Sequence, residues 1–496
     1  MFVINKECRA GIAEHLREDN VIDAVVTDPP YGLSKEPDTA EVLRHWLNGD
    51  DYKQTGRGFM GKTWDSFVPG PATWREVYRV LKPGGHALVF AGSRTQDLMS
   101  MALRLAGFEI RDTAMWLYGS GFPKSLDVSK AVEKTHGIGA SRERALKFTA
   151  WLRSTGITAR QINEATKSNM GNHYLTDKEQ PAIATLDMYA SFAHLVPTPP
   201  PEIMELMQWR TVELENMKRR NVVAAGTPKG KSAGVYGDFA EEEYYYTAPH
   251  TDAAKQWDGW GTALKPAYEP VIIARKPLVG TVADNVLQYG TGAINIGGCR
   301  IPRVDGDRTE YSVNGDEPSF AGNGVTGGHR ERVAYNPDDS GRWPANVLHD
   351  GALDGEEWAR YFYCAKASKA DRNAGLEAFD ILSAGDATGG RDEGSAGLNN
   401  PRAGTGRTVG NRNPHPTVKP TELMRYLCRL VTPPGGLILD PFTGSGSTGR
   451  GAVLEGFNFL GFQWDPDDQG GRMVDIANAR ILDALTVRTL SDKVNK

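Results

Sequence analysis

The sequence predicts an α/β fold, a mostly parallel sheet with a helical insertion, and three stretches carry that expectation. Val21-Ile22-Asp23-Ala24-Val25-Val26 is short, β-branched and nearly continuous in hydrophobicity, as suits a parallel strand covered on both faces. Leu437-Ile438-Leu439-Asp440 is a second apolar run, followed by the glycine loop Pro441-Phe442-Thr443-Gly444-Ser445-Gly446-Ser447-Thr448-Gly449 and then a helix. Between about 126 and 250 the strand-like runs thin out and helical spacing takes over.

The first strand runs into Asp28-Pro29-Pro30-Tyr31. The two prolines remove backbone donors and fix φ, so the chain leaves the sheet in a rigid, extended turn with its carbonyls free to accept. Such a turn suits a nucleobase amine, whose lone pair is delocalised into the ring. If the Asp28 carboxylate and the Pro29 carbonyl each accept one N–H, charge developing on nitrogen is stabilised where it arises. Tyr31 then offers a flat face for the base. Taken alone, the tetrapeptide reads equally well as a plain turn.

Leu81-Lys82-Pro83-Gly84-Gly85 leads into a strand over His86–Phe90. In the middle of the chain Ala145, Phe148, Trp151 and Leu152 fall at helical spacing, and so do Ile162, Ala165 and Thr166. Between them Ser154-Thr155-Gly156-Ile157-Thr158 supplies a glycine turn and Thr158 as N-cap. Helix, tight turn, helix is compatible with helix-turn-helix geometry or with an ordinary αα-hairpin. Glu241-Glu242-Glu243 precedes Tyr244-Tyr245-Tyr246, where three carboxylates would repel phosphate and packing is the favoured role. Trp260–Pro270 leads into Val271-Ile272-Ile273, another buried strand. Residues 303–342 and 381–412 are rich in Gly, Asp, Asn, Ser and Arg and are expected to be mobile loops.

The glycine loop contains G-x-G-x-x-G, which alone also fits a dinucleotide site, with Gly461-Phe462-Gln463-Trp464-Asp465 where a ribose-binding acid belongs. A dinucleotide fingerprint has no need of Asp440-Pro441-Phe442 before its first glycine, whereas a carboxylate there can face the methionyl amino group of S-adenosylmethionine.

With these motifs the chain resembles the DNA amino-methyltransferases, in the group whose catalytic tetrapeptide precedes the cofactor loop, and specifically phage-type members. Asn413-Pro414-His415-Pro416-Thr417-Val418-Lys419-Pro420 extends the match, as does the run Trp260–Pro270. The resemblance implies a Rossmann-like methyltransferase sheet in circularly permuted order. It places a catalytic half at 1–125, a helical insert for target recognition at 126–250, a second block with mobile loops at 251–412 and a cofactor half at 413–496. It implies Asp28, Pro29, Pro30 and Tyr31 as catalytic residues. Asp440, Pro441, Phe442, Gly444, Gly446, Gln463, Asp465, Thr417 and Lys419 would bind S-adenosylmethionine. Gln463 stands where an acid usually grips the ribose, so Gln463→Glu is expected to tighten cofactor binding. An initial Asp in the tetrapeptide selects the N6 amine of adenine, with N4 of cytosine, or a DNA-binding protein of weak catalysis, as alternatives. Protein-glutamine methyltransferases share a proline turn, but in them the cofactor loop comes first.

Net charge is −5 over 496 residues, so DNA binding must rest on local patches. Candidates are Arg142, Arg144, Lys147, Arg153 and Arg160; Lys218-Arg219-Arg220 with Lys229 and Lys231; and Lys366, Lys369 and Arg372 after Tyr361-Phe362-Tyr363. The third cluster is favoured because the family resembled carries a similar aromatic-then-basic run. Arg153 and Arg160 are the candidates within the insert. Double-stranded DNA is the expected partner, no metal is needed, and a homodimer is left open. No stretch approaches the roughly 18 apolar residues of a membrane span and the start lacks a secretory layout, which predicts a cytoplasmic protein of a bacterium or phage-infected cell. Cys8, Cys299, Cys364 and Cys428 are scattered without C-x-x-C, as expected of small core residues rather than a disulfide framework or zinc site.

Overall fold

The computed structural model describes the chain except for residues 1, 33–36, 55–64, 120, 122–124, 179, 219–221, 227–243, 248–251, 303–340, 367, 382–410, 416, 466–471 and 495–496. The two expected mobile loops fall almost wholly outside the described residues. So do Arg219, Arg220, Lys229, Lys231 and Glu241–Glu243.

Eleven strands are present among the described residues: β1 (Val3–Asn5), β2 (Ile22–Thr27), β3 (Leu81–Phe90), β4 (Glu109–Leu117), β5 (Val222–Gly226), β6 (Tyr244–Thr247), β7 (Tyr268–Arg275), β8 (Val347–His349), β9 (Tyr363–Cys364), β10 (Leu437–Asp440) and β11 (Asn458–Gln463). The chain forms two compact units. One comprises residues 1–121 and 267–496, the other most of 122–266.

The first unit is built on a nine-stranded sheet in the order β1-β11-β10-β2-β3-β7-β4-β8-β9. Every pairing is parallel except those of β7, which runs antiparallel to both β3 and β4. All six residues of β2 are buried. Its side chains alternate between two cores, which is why its sequence reads as a continuous apolar run. Ala24 and Val26 pack with Leu88, Phe90 and Ile438 against Leu423, Leu427 and Cys428 of the helix Thr421–Val431. Val25 packs on the other face with Ala87, Val89 and Leu439 against Trp74, Val77 and Met99. Ile438 and Leu439 of β10 lie in register with Ala24 and Val25 of β2, so strands from the two ends of the sequence are neighbours in the sheet. From β10 the chain crosses through the helix Ser447–Glu455 to the parallel strand β11.

Cys8, Cys299 and Cys428 are buried, but Cys364 is exposed, contrary to its expected place in a core. It sits on β9, a two-residue strand that pairs with β8 at the edge of the sheet among the described residues.

The second unit packs the helices Val128–Ser154, Ala159–Thr166, Leu186–Phe192 and Pro201–Lys218 around Phe148, Leu152, Ile162, Phe192 and Met207. Gly156 takes φ +77°, a conformation that favours glycine, and closes the turn between the first two helices. Thr158 then caps the second helix in a reciprocal box with Gln161. The backbone of Tyr244–Tyr246 lies in β6, paired with β5. None of the described helices is long and apolar enough to cross a membrane.

Candidate active site

β2 ends at Thr27 and passes directly into Asp28, Pro29, Pro30 and Tyr31. The turn is pinned on both sides. The Asp65 carboxylate accepts the Tyr31 N–H at 2.8 Å and the Gly32 N–H at 3.1 Å, and the Thr95 hydroxyl donates to the Tyr31 carbonyl at 2.6 Å. Gly32, at φ +66°, has backbone of Val68 3.0 Å from where a Cβ would lie, so the tight turn admits little else.

Four polar side chains meet behind this turn. Lys419 Nζ donates to Asp28 Oδ2 at 2.6 Å and to the Tyr31 hydroxyl at 3.2 Å, and it lies 3.2 Å from Glu269 Oε2. The Tyr31 hydroxyl in turn donates to Glu269 Oε2 at 3.0 Å. Only 6% of the Lys419 side chain is exposed, so its charge is sustained by its partners rather than by water. Burial pulls the Lys419 ammonium down, but the carboxylates of Asp28 and Glu269 outweigh it and carry the group above the ordinary lysine value. Burial, reinforced by the same two carboxylates, pushes the Tyr31 phenol well above its ordinary value and keeps it a donor. The remaining oxygen of Asp28, Oδ1, is buried and has no hydrogen-bond partner among the described residues.

Next to β2, β10 ends at Asp440. Thr27 donates its hydroxyl to Asp440 Oδ1 at 2.6 Å, and the Phe442 N–H donates to the same oxygen at 3.1 Å. Burial pushes this carboxyl up to about 6, against the hydrogen bonds from Thr27, Thr448 and Phe442. The loop beyond it turns through Gly444 (φ +52°) and Gly446 (φ +81°). A Cβ on Gly446 would meet the backbone of Ala477 at 3.0 Å, and one on Gly444 would meet His415 Nε2 at 2.9 Å. His415 is pushed down to about 3 by burial and by Arg372, Lys419 and Arg480, so it stays neutral against the loop. The buried Arg480 donates to the Ser445 carbonyl at 2.7 Å and to the Asp371 carbonyl at 3.2 Å, tying the loop to the chain before Thr421.

The model of the N6/N4 DNA methylase family matches residues 22–173 and 331–467, more than half of the chain, including the Asp28 turn, Lys419 and the Asp440 loop. The chain belongs to this DNA methylase family. Over 66 residues it is 36% identical to DNA adenine methyltransferase YhdJ of Escherichia coli K12, covering 13% of this chain and 22% of that protein. Over 133 residues it is 27% identical to type II methyltransferase M.HpaI of Haemophilus parainfluenzae, covering 27% of this chain and 34% of that one. These alignments thus span about a fifth to a third of the relatives' lengths. Among solved structures it is similar to the M1.HpyAVI–SAM complex, with a TM-score of 0.32 at 11% identity over 97% of this chain and 98% of the other.

The methyl donor of this DNA methylase family is S-adenosylmethionine, and the donor set at the β10 tip fits it. Asp440 would offer a buried carboxylate to an ammonium group, and Gly444 and Gly446 turn the loop so closely against His415 and Ala477 that a Cβ would clash. Pro441 and Phe442 follow Asp440 in the turn, the Phe442 ring standing 6.2 Å from Trp74. Gln463, expected to grip the ribose, accepts the Gly444 N–H at 2.9 Å and donates to Asp465 Oδ1 at 3.1 Å. Asp465 accepts the Met473 and Val474 N–H groups at 2.7 and 3.0 Å with its other oxygen, anchoring the start of the helix Arg472–Val494. Thr417 is exposed and donates its N–H to His415 Nδ1 at 3.3 Å. Lys419, expected at the cofactor, donates to Asp28.

The residues expected to touch DNA fall in both units. Lys366 pairs with Asp354 at 2.6 Å, and Lys369 opens a short helix with its side chain outside the described residues. The Arg372 guanidinium donates to the carbonyls of Asn413 and His415, so it braces the chain beside the cofactor loop. Arg153 pairs with Asp177 and Arg160 with Glu164, both at 2.8 Å on exposed faces of the second unit. Among the described residues His349, Asp354 and Cys364 bring metal-type ligand atoms within 4.8 Å of one another. Two are already engaged: the Gly351 N–H donates to His349 Nδ1, and Lys366 holds Asp354.

Proposed function

We propose that the chain is a site-specific DNA methyltransferase that methylates the N6 amine of adenine in a base flipped out of the duplex. The observation that carries this reading is Asp28 Oδ1, a buried acceptor with no partner among the described residues at the tip of β2, beside the Asp440 loop on the neighbouring strand. A buried carboxylate oxygen left unpaired is costly, and an amine N–H of a substrate satisfies it. The Pro29 carbonyl takes the second N–H, which turns the nitrogen lone pair toward the methyl donor. S-adenosylmethionine, when bound, supplies an electrophilic methyl group. As nitrogen becomes positive, both acceptor contacts strengthen, so they lower the barrier more than they tighten binding.

Tyr31 provides the stacking face, its ring fixed by the hydroxyl contacts to Glu269 and Lys419. Adenine is favoured over cytosine by Asp at position 28, since the resembled family uses Ser there for the N4 amine. The relation to a DNA adenine methyltransferase over 66 residues points the same way. Target recognition is assigned to the helical unit, with Arg153 and Arg160 on its exposed surface.

The test is single-turnover transfer of labelled methyl from S-adenosylmethionine to DNA. Asp28→Ala is expected to lower the rate by about 10²-fold or more while leaving DNA and cofactor binding near wild type. Tyr31→Ala is expected to harm both turnover and base capture, and Tyr31→Phe to keep much of the activity. Transfer by Asp28→Ala at the wild-type rate would remove Asp28 from the site.

A further inference from the structure

We propose that Lys419 and Glu269 are positioning residues of methyl transfer, clamping the Asp28 carboxylate so that Oδ1 alone is offered to the target amine. This rests on the reading of Asp28 as the amine acceptor.

An aspartate carboxylate has two equivalent oxygens and a broad terminal torsion, so by itself it presents no single acceptor. Here Lys419 Nζ occupies Oδ2 at 2.6 Å, while Oδ1 is the oxygen without a partner. The clamp is itself held. Lys419 stands just before Pro420 and the helix Thr421–Val431, whose first residue gives its N–H and hydroxyl to Asp371 at 2.8 and 2.5 Å. Glu269 lies on β7, flanked by β3 and β4, 3.2 Å from Lys419 and bonded to the Tyr31 hydroxyl. One ammonium thus orients the acceptor and the stacking ring together.

The charges also set the field. Asp28, Glu269 and Lys419 sum to one net negative charge, the sign that stabilises a nitrogen becoming positive. Removing Lys419 leaves two carboxylates facing each other, and removing the charge of Glu269 leaves a neutral site. The other ionisable groups against this cluster are the Tyr31 phenol, Asp440 across Thr27, and His415, which is held neutral.

The test is single-turnover methyl transfer to DNA by wild type, Lys419→Met, Lys419→Arg and Glu269→Gln. Circular dichroism and S-adenosylmethionine calorimetry on each variant verify the fold. Lys419→Met is expected to lose about tenfold or more in rate, with cofactor and DNA affinities little changed. Lys419→Arg is expected to recover part of the rate, since a cation again occupies Oδ2. Wild-type rates in folded Lys419→Met, or a loss with no recovery in Lys419→Arg, would overturn the proposal. If Lys419→Met does not fold, Glu269→Gln decides: about tenfold slower transfer supports the clamp, and the wild-type rate overturns it. Asp28→Ala run in parallel separates the two readings, because its full activity would sink the amine acceptor itself, whatever Lys419 does.

Discussion

In the sheet unit Lys419, Asp440 and Arg480 are buried, and each is held by named partners, whereas the helical unit buries Phe148, Leu152, Ile162, Phe192 and Met207 and keeps Lys147, Arg153 and Arg160 at its surface. Its surface cations pair locally, with Glu143, Asp177 and Glu164. Ionised groups are costly to bury, so an interior that retains several of them is built for something other than stability. On the proposed reading, the interior of the sheet unit carries the chemistry and the helical unit acts through its exposed face.

The most disruptive way to sharpen this contrast is Phe148→Ala. Emptying the centre of the helical core is expected to cost about 3–5 kcal/mol, read by chemical denaturation, while S-adenosylmethionine affinity measured by calorimetry stays near wild type. Loss of cofactor binding together with the helical fold would break the division of labour.

A smaller effect is expected at Asp440. Its carboxyl must be ionised to face a methionyl ammonium, yet burial has raised its pKa to about 6. Cofactor affinity is therefore expected to fall about tenfold per pH unit below about 6, and Asp440→Asn to bind weakly with no such slope. The same shift means that the native state takes up this proton more readily than the unfolded chain. Asp440 thus costs stability at neutral pH, and the cost is relieved as pH falls through about 6 toward the ordinary aspartate value of 3.8.

Gln463 is expected to matter less, and with a sign opposite to the one the sequence suggests. A glutamate there keeps the acceptor for the Gly444 N–H but sets a second carboxylate beside Asp465, where the amide now donates at 3.1 Å. Gln463→Glu is expected to weaken cofactor binding by about 1 kcal/mol in calorimetry; tighter binding would return Gln463 to the ribose. Mildest of all is the double change Arg153→Ala and Arg160→Ala on the helical surface. If these groups meet phosphate, the salt dependence of DNA binding becomes shallower by about one unit per lost contact, with cofactor affinity unchanged. Normal DNA affinity and specificity would move recognition elsewhere.

β2 and β10 were legible in the sequence because strands buried on both faces read as unbroken apolar runs, and each ends in a turn whose residues carry chemistry. The direction of β7 was not legible, since Val271-Ile272-Ile273 is as apolar as a parallel strand and hydrophobicity has no polarity along the chain. The Thr158 cap and Gly156 turn were readable because capping is local, set by residues three apart. Asp65 escaped notice for the opposite reason, and Glu269 was seen only as part of the run Trp260–Pro270. An acid 238 residues from Tyr31, and another 34 residues away, become partners only when the chain has folded. Lys419 was seen as part of a motif, but which carboxylate it meets is decided by the neighbouring of β10 and β2. Arg372 looked like a surface cation for DNA because sequence shows a charge and not the two carbonyls it serves.

The central claim is most directly tested by incubating the protein with duplex DNA and methyl-labelled S-adenosylmethionine, digesting the DNA to nucleosides and identifying the labelled base. N6-methyladenine, at a fixed sequence and lost in Asp28→Ala, is the result expected. Label confined to N4-methylcytosine would contradict the choice of base, and DNA that acquires no label would contradict the activity itself.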